Sequence, residues 1–539
     1  MSRERHISAA FGDRTASRRW LRTILLAVVA CGGIAARASA LVAERSLWLD
    51  EVSLALNIRE RGFLELLGEP LEFGQSAPPG FLLLSRLAMA TLGDGLVAVR
   101  AIPFLAGCLT LIVGIAVAKR AFTTLPAQAL FLLGISASPT LVYYSTEMKP
   151  YAVDALAVML AFYLVSRLRD ERIVFLASII GFSAVVLSLP GLFVFGALAL
   201  LTVGRSFASG GIAGLIAEVR SRWLMYAAWG VGAATHLSYA VTSGADRSVM
   251  QAWWRGRGGF APPVSEGLSE LSWYGERFVE LLWLMFENTQ VPDPGAKQLS
   301  PFVVLAAVAL LALVVVRRRR PSTVVLFAAG IMGLALLLAA FSLYPLSSRL
   351  AIYLIPVMML LFSAGLDSSL WSRSVGRGIV AFAAAGIIVN TQLAAALGQL
   401  QSPYLGRDMV AVLNVLNREV APGDVVVTND AGSRIFRWHR DGSNFDGPLV
   451  TLAADEAQAA VGERLLADGR PERVWVASTH QLSGMEKIAD ALFSQYPYRG
   501  VYFRDETFIA LASMRGPIAF VETDDRQLFT VLTAEIPRP

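Results

Sequence analysis

Two adjacent carboxylates, Asp50 and Glu51, are the side chains of this sequence best placed to do chemistry. They follow the first long apolar segment and begin a stretch whose apolar and polar residues recur at helical spacing. That spacing predicts a short amphipathic helix along a membrane surface, with the pair at the mouth of a hydrophobic body. A polar site in that position would face a lipid-borne substrate. Helix capping explains the pair equally well, because carboxylates stabilise a helix N-terminus, and spacing alone leaves both interpretations open.

The composition of the chain excludes an ordinary soluble protein. Of its 539 residues, 55% are hydrophobic and only 17% are charged, and the mean hydropathy is +0.55. The net charge of +5 does not indicate nucleic-acid binding, because the basic residues lie at the ends of apolar segments, as the positive-inside rule requires. The two cysteines lie in apolar runs and the four histidines are scattered, so neither a disulfide framework nor a metal-ligand cluster is indicated. We expect no cofactor and leave a divalent metal open.

The apolar segments predict a mainly α fold, a polytopic membrane bundle of about eleven spans. The expected spans are residues 23–42, 98–118, 124–140, 151–166, 173–189, 191–204, 223–241, 301–316, 322–341, 350–366 and 378–398. This register places the basic clusters in the cytoplasm, namely residues 1–22, Lys119–Arg120, Arg167–Arg172, Arg205–Arg222, Arg317–Arg320 and Arg373–Arg377. Gly80–Leu92, which contains Arg86, is expected to be interfacial or re-entrant. The alternative for the first segment is a signal peptide cleaved near Ala38–Ala40.

The outer loops contain further polar residues that could bind a substrate. These loops are expected at residues 43–97, 141–150, 242–299 and 342–349. The second loop groups Tyr143, Tyr144, Glu147 and Lys149. The third holds several tryptophans, and membrane-interface anchoring explains them better than stacking on a sugar. Arg349, at the outer end of a span, suits bidentate binding of a phosphate, or it snorkels to the interface.

Residues 401–539 predict a small extracytoplasmic α/β domain, because the apolar runs shorten there to strand length. The expected strands are Val425–Thr428, Arg473–Ser478, Gly500–Phe503 and Phe508–Ala512, and the expected helices are Met409–Val420 and Leu482–Tyr496. The domain contains no phosphate-binding loop, dinucleotide motif or catalytic-triad spacing. We therefore expect it to dock a substrate or stabilise the protein and not to carry chemistry.

Five sequence blocks, in the same order, resemble the GT-C class of integral-membrane glycosyltransferases. The blocks are LWLDE at 47–51, QSAPPGFLLL at 75–84, RAIPFLAG at 100–107, YYSTEMKPY at 143–151 and YPLSSRLAIYLIP at 344–356. They look most like a bacterial family related to protein O-mannosyltransferases and lipid A sugar transferases. Some relatives carry Arg where Lys149 stands, and the C-terminal domain varies between members, so the resemblance does not carry over a substrate.

The resemblance implies a multi-pass enzyme of the bacterial inner membrane that moves a sugar from a polyprenyl-phosphate donor to a hydroxyl acceptor on a glycan, lipid or protein. Such a donor fits chemistry at the outer face, where cytoplasmic nucleotide sugars are absent. By resemblance, Asp50 is the general base and Glu51 orients the substrate or the base. Lys149 and Arg349 would hold the lipid phosphate, and direct displacement would invert the anomeric centre. The remaining candidates for the donor and sugar pocket are Gln75, Tyr143, Tyr144 and Glu147.

Two other classes of protein fit the composition. A transporter or flippase of a lipid-linked or cell-envelope precursor would also be polytopic, but it should place ionisable residues in the middle of spans. The expected spans offer almost none beyond Arg37. A signalling or scaffold protein with an outer sensor domain would leave the acidic pair and the basic outer-loop residues unexplained.

The charge distribution predicts a cytoplasmic N-terminus and an extracytoplasmic C-terminus. A reporter enzyme that works only outside the cytoplasm should be active when fused after Pro539, because an odd number of spans separates the two termini. The same reporter fused after Lys119 should be inactive. Activity of a cytoplasm-specific reporter at Pro539 would overturn the whole arrangement.

Overall fold

The computed structural model of the protein describes two compact units. The described residues are 2–43, 45–167, 170–242, 247–262, 271–286, 299–316, 322–370, 374–401, 413, 416–417, 420–421, 423–439, 449–452, 473–479, 498–504 and 507–513. One unit comprises residues 1–42 and 58–404, and the other comprises residues 43–57 and 405–539. The expected helix at 482–496, most of the one at 409–420 and the arginine cluster at 317–320 lie outside the described residues.

The first unit is a bundle of α-helices. They are α1 (Ser2–Val42), α3 (Glu65–Gly68), α4 (Pro79–Leu92), α5 (Leu96–Val99), α6 (Ala101–Ala121), α7 (Leu125–Ala137), α8 (Pro139–Tyr144), α9 (Tyr151–Val165), α10 (Val174–Leu187), α11 (Leu189–Ser221), α12 (Trp223–Thr242), α13 (Arg247–Gly256), α14 (Leu271–Phe286), α15 (Pro301–Val315), α16 (Thr323–Ala340), α17 (Ile355–Leu370) and α18 (Val375–Gln401). Short 3₁₀ helices span Glu72–Gly74, Glu171–Ile173 and Ser348–Leu354. Another helix, α2 (Leu49–Glu60), crosses the division between the units at Asn57.

This bundle is that of a multi-pass membrane protein, as the sequence predicted. Every segment expected to span overlaps one or two of the helices. Among the described residues, six helices are long and apolar enough to cross a membrane, and four further apolar helices are shorter. The segment Gly80–Leu92 is helical as α4, and its interfacial placement stays a prediction. The stretch at 205–221 is also helical, because α11 continues through a kink at Gly211.

At two places in the described part of the bundle, a helix ends at a serine that has a proline one or two residues later. Ser138 lies between α7 and α8, and its Oγ accepts a hydrogen bond from the Leu141 N–H at 3.4 Å. Ser188 lies between α10 and α11, and its Oγ accepts from the Gly191 N–H at 2.9 Å. Each serine thus caps the helix that follows, while the proline occupies a first-turn position where no amide hydrogen is needed.

An ionisable side chain secures each break. Arg37 of α1 is 1% exposed, and its guanidinium donates to the carbonyls of Ile135 at 3.1 Å and Ser136 at 3.3 Å. These are carbonyls that the end of α7 leaves without intrahelical partners. Asp154 of α9 is 5% exposed, and its Oδ1 accepts from the Ser188 hydroxyl at 2.6 Å.

Asp154 corrects one of our expectations. The expectation that Arg37 would be almost the sole ionisable residue within the spans was wrong, because Asp154 also lies inside an apolar helix. Both side chains are hydrogen bonded to the end of a neighbouring helix. That is how a membrane bundle satisfies structural polar residues.

Glycines allow the closest approaches within the bundle. A Cβ added to Gly107 of α6 would lie 2.5 Å from the Ser145 Cβ and 3.2 Å from the Arg37 Nε. A Cβ at Gly365 of α17 would lie 2.1 Å from the carbonyl oxygen of Leu310 in α15. Since side chains cannot fit at these distances, Gly107 is what lets the segment after α8 pack against α6.

The helix α2 confirms one prediction and contradicts another. A helix forms where the spacing predicted it, immediately at the carboxylate pair. However, Val52–Ile58 are all at most 3% exposed, including Ser53 and Asn57, so this part of the helix presents no exposed polar stripe. Its polar side chains bond to the helix itself: the Ser53 Oγ donates to the Leu49 carbonyl at 2.6 Å, and the Asn57 Nδ2 donates to the Ser53 carbonyl at 2.7 Å. The prediction of an amphipathic surface helix was wrong, because a helix enclosed on all sides is a buried helix.

The second unit contains a five-stranded mixed sheet in the order β2-β1-β3-β5-β4. The strands are β1 (Val425–Asn429), β2 (Leu449–Leu452), β3 (Arg473–Thr479), β4 (Tyr498–Arg504) and β5 (Thr507–Ser513), and one helix, α19 (Asp430–His439), follows β1. β1 is parallel to β2 and β3, whereas β5 is antiparallel to β3 and β4. The four expected strands are confirmed, and β2 is an additional strand. Asp424 anchors the first strand, because its carboxylate accepts from Arg473 at 2.7 Å and from the Trp475 indole at 3.0 Å.

Candidate functional site

The two carboxylates of the acidic pair lie in different environments. Glu51 is fully buried, and its Oε2 accepts a hydrogen bond from the Trp48 N–H at 3.0 Å. The same oxygen lies 3.7 Å from the Arg45 guanidinium, which is also buried. A glutamate at the third helical position that reaches back to the N-cap amide is one half of a capping box. Glu51 therefore caps α2, which is the structural role that the sequence left open for the pair.

Asp50 occupies the second position of the same helix but is only partly buried. Its carboxylate lies in the first turn, where the helix dipole favours negative charge. Of the two carboxylates, Asp50 is the more exposed, and its role as a general base stays a prediction.

The α/β domain contacts the helix that carries Asp50. Arg434 of α19 donates from Nη1 to the Ser53 Oγ at 3.1 Å, and Arg434 also forms an ion pair with Asp430 one turn earlier in α19. Ser53 is three residues beyond Asp50, so the two side chains lie on the same side of α2. Both partners belong to the unit formed by residues 43–57 and 405–539. That the domain carries no chemistry stays a prediction, but it supplies a cation within one helical turn of Asp50.

A separate contact, within the unit formed by residues 1–42 and 58–404, joins two of the sequence blocks. The Lys149 Nζ donates to the Gln75 Oε1 at 2.5 Å, although the two residues are 74 positions apart. Lys149 is 6% exposed, and the preceding Glu147 is fully buried. The Lys149 N–H also donates to the Glu147 carbonyl at 2.6 Å, which forms a tight turn before Pro150 and α9. Two of the expected donor-binding residues are thus in direct contact.

Backbone geometry fixes the position of Gln75. Phe73 and Gly74 have φ of 61° and 62°, so two consecutive residues adopt the left-handed conformation. For phenylalanine this conformation is strained, and such strain is concentrated at functional sites. The Gln75 Nε2 donates back to the Phe73 carbonyl at 3.3 Å, which leaves its Oε1 directed to Lys149.

The two expected sugar-pocket tyrosines lie in the hydrophobic core. Tyr143 is 3% exposed and Tyr144 is 1% exposed. The rings meet edge to face with centroids 5.1 Å apart, and Tyr144 meets Tyr151 in the same way at 5.2 Å. This packing holds the segment that carries Glu147 and Lys149. Contact of these tyrosines with a sugar stays a prediction.

Arg349 is the second residue of the 3₁₀ helix Ser348–Leu354 and is half-buried. It follows Ser348, whose φ of 49° is unusual for a residue with a side chain. Leu350 on its other side accepts a hydrogen bond through its carbonyl from the Tyr344 hydroxyl at 3.3 Å. Burial, reinforced by the nearby Asp154 carboxylate, raises the pKa of the Tyr344 phenol well above its ordinary value, so the phenol remains a donor.

Sequence reasoning missed the contributions of the third outer loop. We interpreted its tryptophans as interface anchors, but Trp273 is 7% exposed and donates from Nε1 to the Gly258 carbonyl at 2.8 Å. Trp253, 52% exposed and covered by the Arg257 guanidinium 3.4 Å from its ring centroid, fits the original interpretation. Among the described residues, no three His, Cys, Asp or Glu side chains group as a metal site would require.

Replacing Glu51 should lower stability in a way that depends on its acceptor oxygen. Glu51→Ala removes the acceptor for the Trp48 N–H, a loss of about 1 kcal/mol for a cap, and also removes a buried carboxylate from Arg45. Glu51→Gln keeps an acceptor and should lose less. Thermal unfolding of the purified variants measures both effects, with Glu69→Ala, an exposed carboxylate of the same region, as the control. Equal losses in the alanine and glutamine variants would show that the cap contributes nothing.

Comparison with known proteins places this arrangement in a known fold. No protein-family model matches the chain, and no curated protein matches it significantly. The crystal structure of ArnT from Cupriavidus metallidurans in the apo state aligns with a TM-score of 0.51 and 13% identity, covering 92% of this chain and 98% of that one. The same protein bound to undecaprenyl phosphate aligns with a TM-score of 0.49 and 13% identity, covering 93% of this chain and 99% of that one. The Archaeoglobus fulgidus oligosaccharyltransferase complex with Zn and sulfate aligns with a TM-score of 0.47 and 13% identity, covering 90% of this chain and 72% of that one. The chain has the GT-C fold that its five sequence blocks indicated.

Proposed function

We propose that this protein transfers a sugar from a polyprenyl-phosphate donor to a hydroxyl acceptor at the outer face of the membrane, with inversion at the anomeric carbon. The observation that carries the proposal is the division of the acidic pair. Glu51 is buried and caps α2, whereas Asp50 is partly exposed in the first turn of the same helix. The ArnT-like fold and the order of the sequence blocks support the same class of reaction.

The proposed chemistry needs one base and a site for the departing phosphate. Asp50 takes the proton of the acceptor hydroxyl, and the acceptor oxygen forms a bond to the anomeric carbon. The bond between that carbon and the phosphate oxygen breaks, and its electron pair leaves with the polyprenyl phosphate. Lys149, oriented by Gln75, and Arg349 stabilise the negative charge that develops on this leaving group. A single displacement of this kind inverts the configuration.

The contacts of the buried ionisable residues favour a transferase over a transporter or flippase. Arg37 and Asp154 could serve a transport path, but each is engaged with a helix end in the bundle. A substrate path would instead need polar groups that exchange partners as the protein alternates between states. The sugar, whether hexose or pentose, and the nature of the acceptor would follow from the glycan or glycolipid that changes when the gene is deleted.

Asp50→Asn provides the main test. The asparagine preserves the size of the side chain and caps a helix as well as aspartate does, but it cannot take a proton at neutral pH. We expect the purified variant to fold and bind donor while its turnover falls by about 10²–10⁴-fold, the usual cost of losing a general base. Asp94→Asn, which changes a 62% exposed carboxylate of the same outer region, should keep its activity. Near-normal turnover by Asp50→Asn would refute the mechanism.

Arg349 should act on the donor and not on the acceptor. Arg349→Ala should raise the donor KM, and Arg349→Lys should restore it only in part, because an ammonium cannot bind a phosphate through two parallel hydrogen bonds. Steady-state kinetics with varied donor measures this effect. Arg255→Ala, at an exposed arginine of α13, is the matched control. An unchanged donor KM in Arg349→Ala would remove this residue from the site.

A further inference from the structure

We infer that Glu280 of α14 is a positioning residue for Arg349. The inference rests on the proposed function, in which Arg349 binds the donor phosphate. Glu280 belongs to the third outer loop as predicted from the sequence, nearly seventy positions from Arg349, and no sequence motif links the two residues. The link is the pair of residues directly before Arg349.

Glu280 binds both of those residues through one carboxylate oxygen. Its Oε1 accepts from the Ser347 hydroxyl at 2.9 Å and from the Ser348 N–H at 2.7 Å. Arg277, one turn earlier in α14, forms an ion pair with Glu280 and donates to the Ser347 Oγ at 3.2 Å. The side chains of Arg277 and Glu280 are only 14% and 24% exposed, so these bonds are largely shielded from water. Such charge-assisted bonds are stronger than neutral ones.

The backbone at this point requires an external constraint. Ser348 has φ of 49°, a conformation that residues with side chains adopt only when surrounding structure holds them there. The hydrogen bond from its N–H to Glu280 is that constraint. On the far side of Arg349, the Tyr344 hydroxyl holds the Leu350 carbonyl. Arg349 is therefore flanked by two fixed backbone points, which is how a binding side chain is preorganised.

The rest of the third loop supports the same segment. The Leu346 N–H donates to the Gly259 carbonyl at 2.7 Å, and the Ala261 N–H donates to the Ala339 carbonyl at 3.3 Å. A Cβ on Gly259 would lie 2.9 Å from the Pro345 Cβ, so only glycine fits this approach. The described part of this loop thus forms a scaffold for residues 339–348.

The charge of Glu280 is balanced within its own cluster. A lone carboxylate near Arg349 would pair with the guanidinium or repel an incoming anion. The ion pair with Arg277 neutralises Glu280 locally. Glu280 can then fix the backbone through Oε1 without weakening the attraction of the site for a phosphate.

The test compares binding of undecaprenyl phosphate, as a probe of the leaving group, with catalysis by the full-length protein. Glu280→Ala should raise both the Kd for the probe and the donor KM by about tenfold, while kcat changes little. A change of about tenfold is the usual loss for a hydrogen bond to a charged group. Glu280→Gln keeps an acceptor for Ser348 and should recover most of the loss. Glu276→Ala, an exposed carboxylate one turn earlier in α14, should match the unmodified protein.

A double variant separates positioning from simple stabilisation. If Glu280 acts through Arg349, Glu280→Ala combined with Arg349→Ala should bind the probe no worse than Arg349→Ala alone. Additive losses would overturn the inference. Ser347→Ala, a milder change, should show a smaller loss that also disappears in the Arg349→Ala background, so the test holds even if Glu280→Ala fails to fold.

The two proposals fail in different ways. An Arg349→Ala protein that binds the probe normally would remove Arg349 from the phosphate site and contradict the proposed function at that point. If Arg349→Ala loses binding while Glu280→Ala and Ser347→Ala do not, the proposed function stands and the role of Glu280 is refuted.

Discussion

A backbone polar group inside a membrane must find a partner within the protein, and this constraint organises the whole bundle. A helix break is the place where the constraint is hardest to meet. At Ser138 the guanidinium of Arg37 donates to two carbonyls at the end of α7, and at Ser188 the serine hydroxyl accepts from the Gly191 N–H and donates to the Asp154 carboxylate. Arg37 and Asp154 are ionisable residues inside apolar segments, where such residues often have a function, but here both have a structural role. The break at Ser138 begins α8, which leads into the segment that carries Glu147 and Lys149, and Asp154 lies in the first turn of α9, which follows that segment.

The same distinction between structure and chemistry runs through the candidate site. Glu51 and Asp50 are adjacent, yet Glu51 caps the N-terminus of α2 whereas Asp50 remains partly exposed. Lys149 is oriented by an amide across 74 residues, and the residue before Arg349 is held in a strained conformation by α14. In each case another residue holds the backbone or the side chain of the residue that would react or bind. This pattern is expected where the side chains of a site must keep their positions while a flexible lipid substrate binds.

Hydropathy and charge were sufficient to predict the helical bundle, because an apolar run long enough to span a membrane is typical of a transmembrane helix. Four strands of the C-terminal domain could likewise be predicted from short runs of β-branched residues, such as Val425–Asn429. The burial of α2 could not be predicted from the sequence. Its sequence alternates as an amphipathic helix does, and only tertiary packing shows that Ser53 and Asn57 are as buried as their apolar neighbours. Glu280 and Arg434 escaped notice for a related reason, since their partners are distant in sequence and their own surroundings have no recognisable motif.

The hydrogen bond between Ser53 and Arg434 has a consequence for how the protein is made. It joins residues 381 positions apart, and both belong to the unit formed by residues 43–57 and 405–539. A chain that elongates at about 5–20 residues per second needs roughly 20–80 s to pass from one partner to the other. During that interval the helix carrying Asp50 has been synthesised but its unit is incomplete. The membrane insertion machinery therefore handles a nascent chain whose acidic helix lacks this partner until Arg434 has been synthesised, and synthesis of the α/β domain becomes the event that assembles this unit.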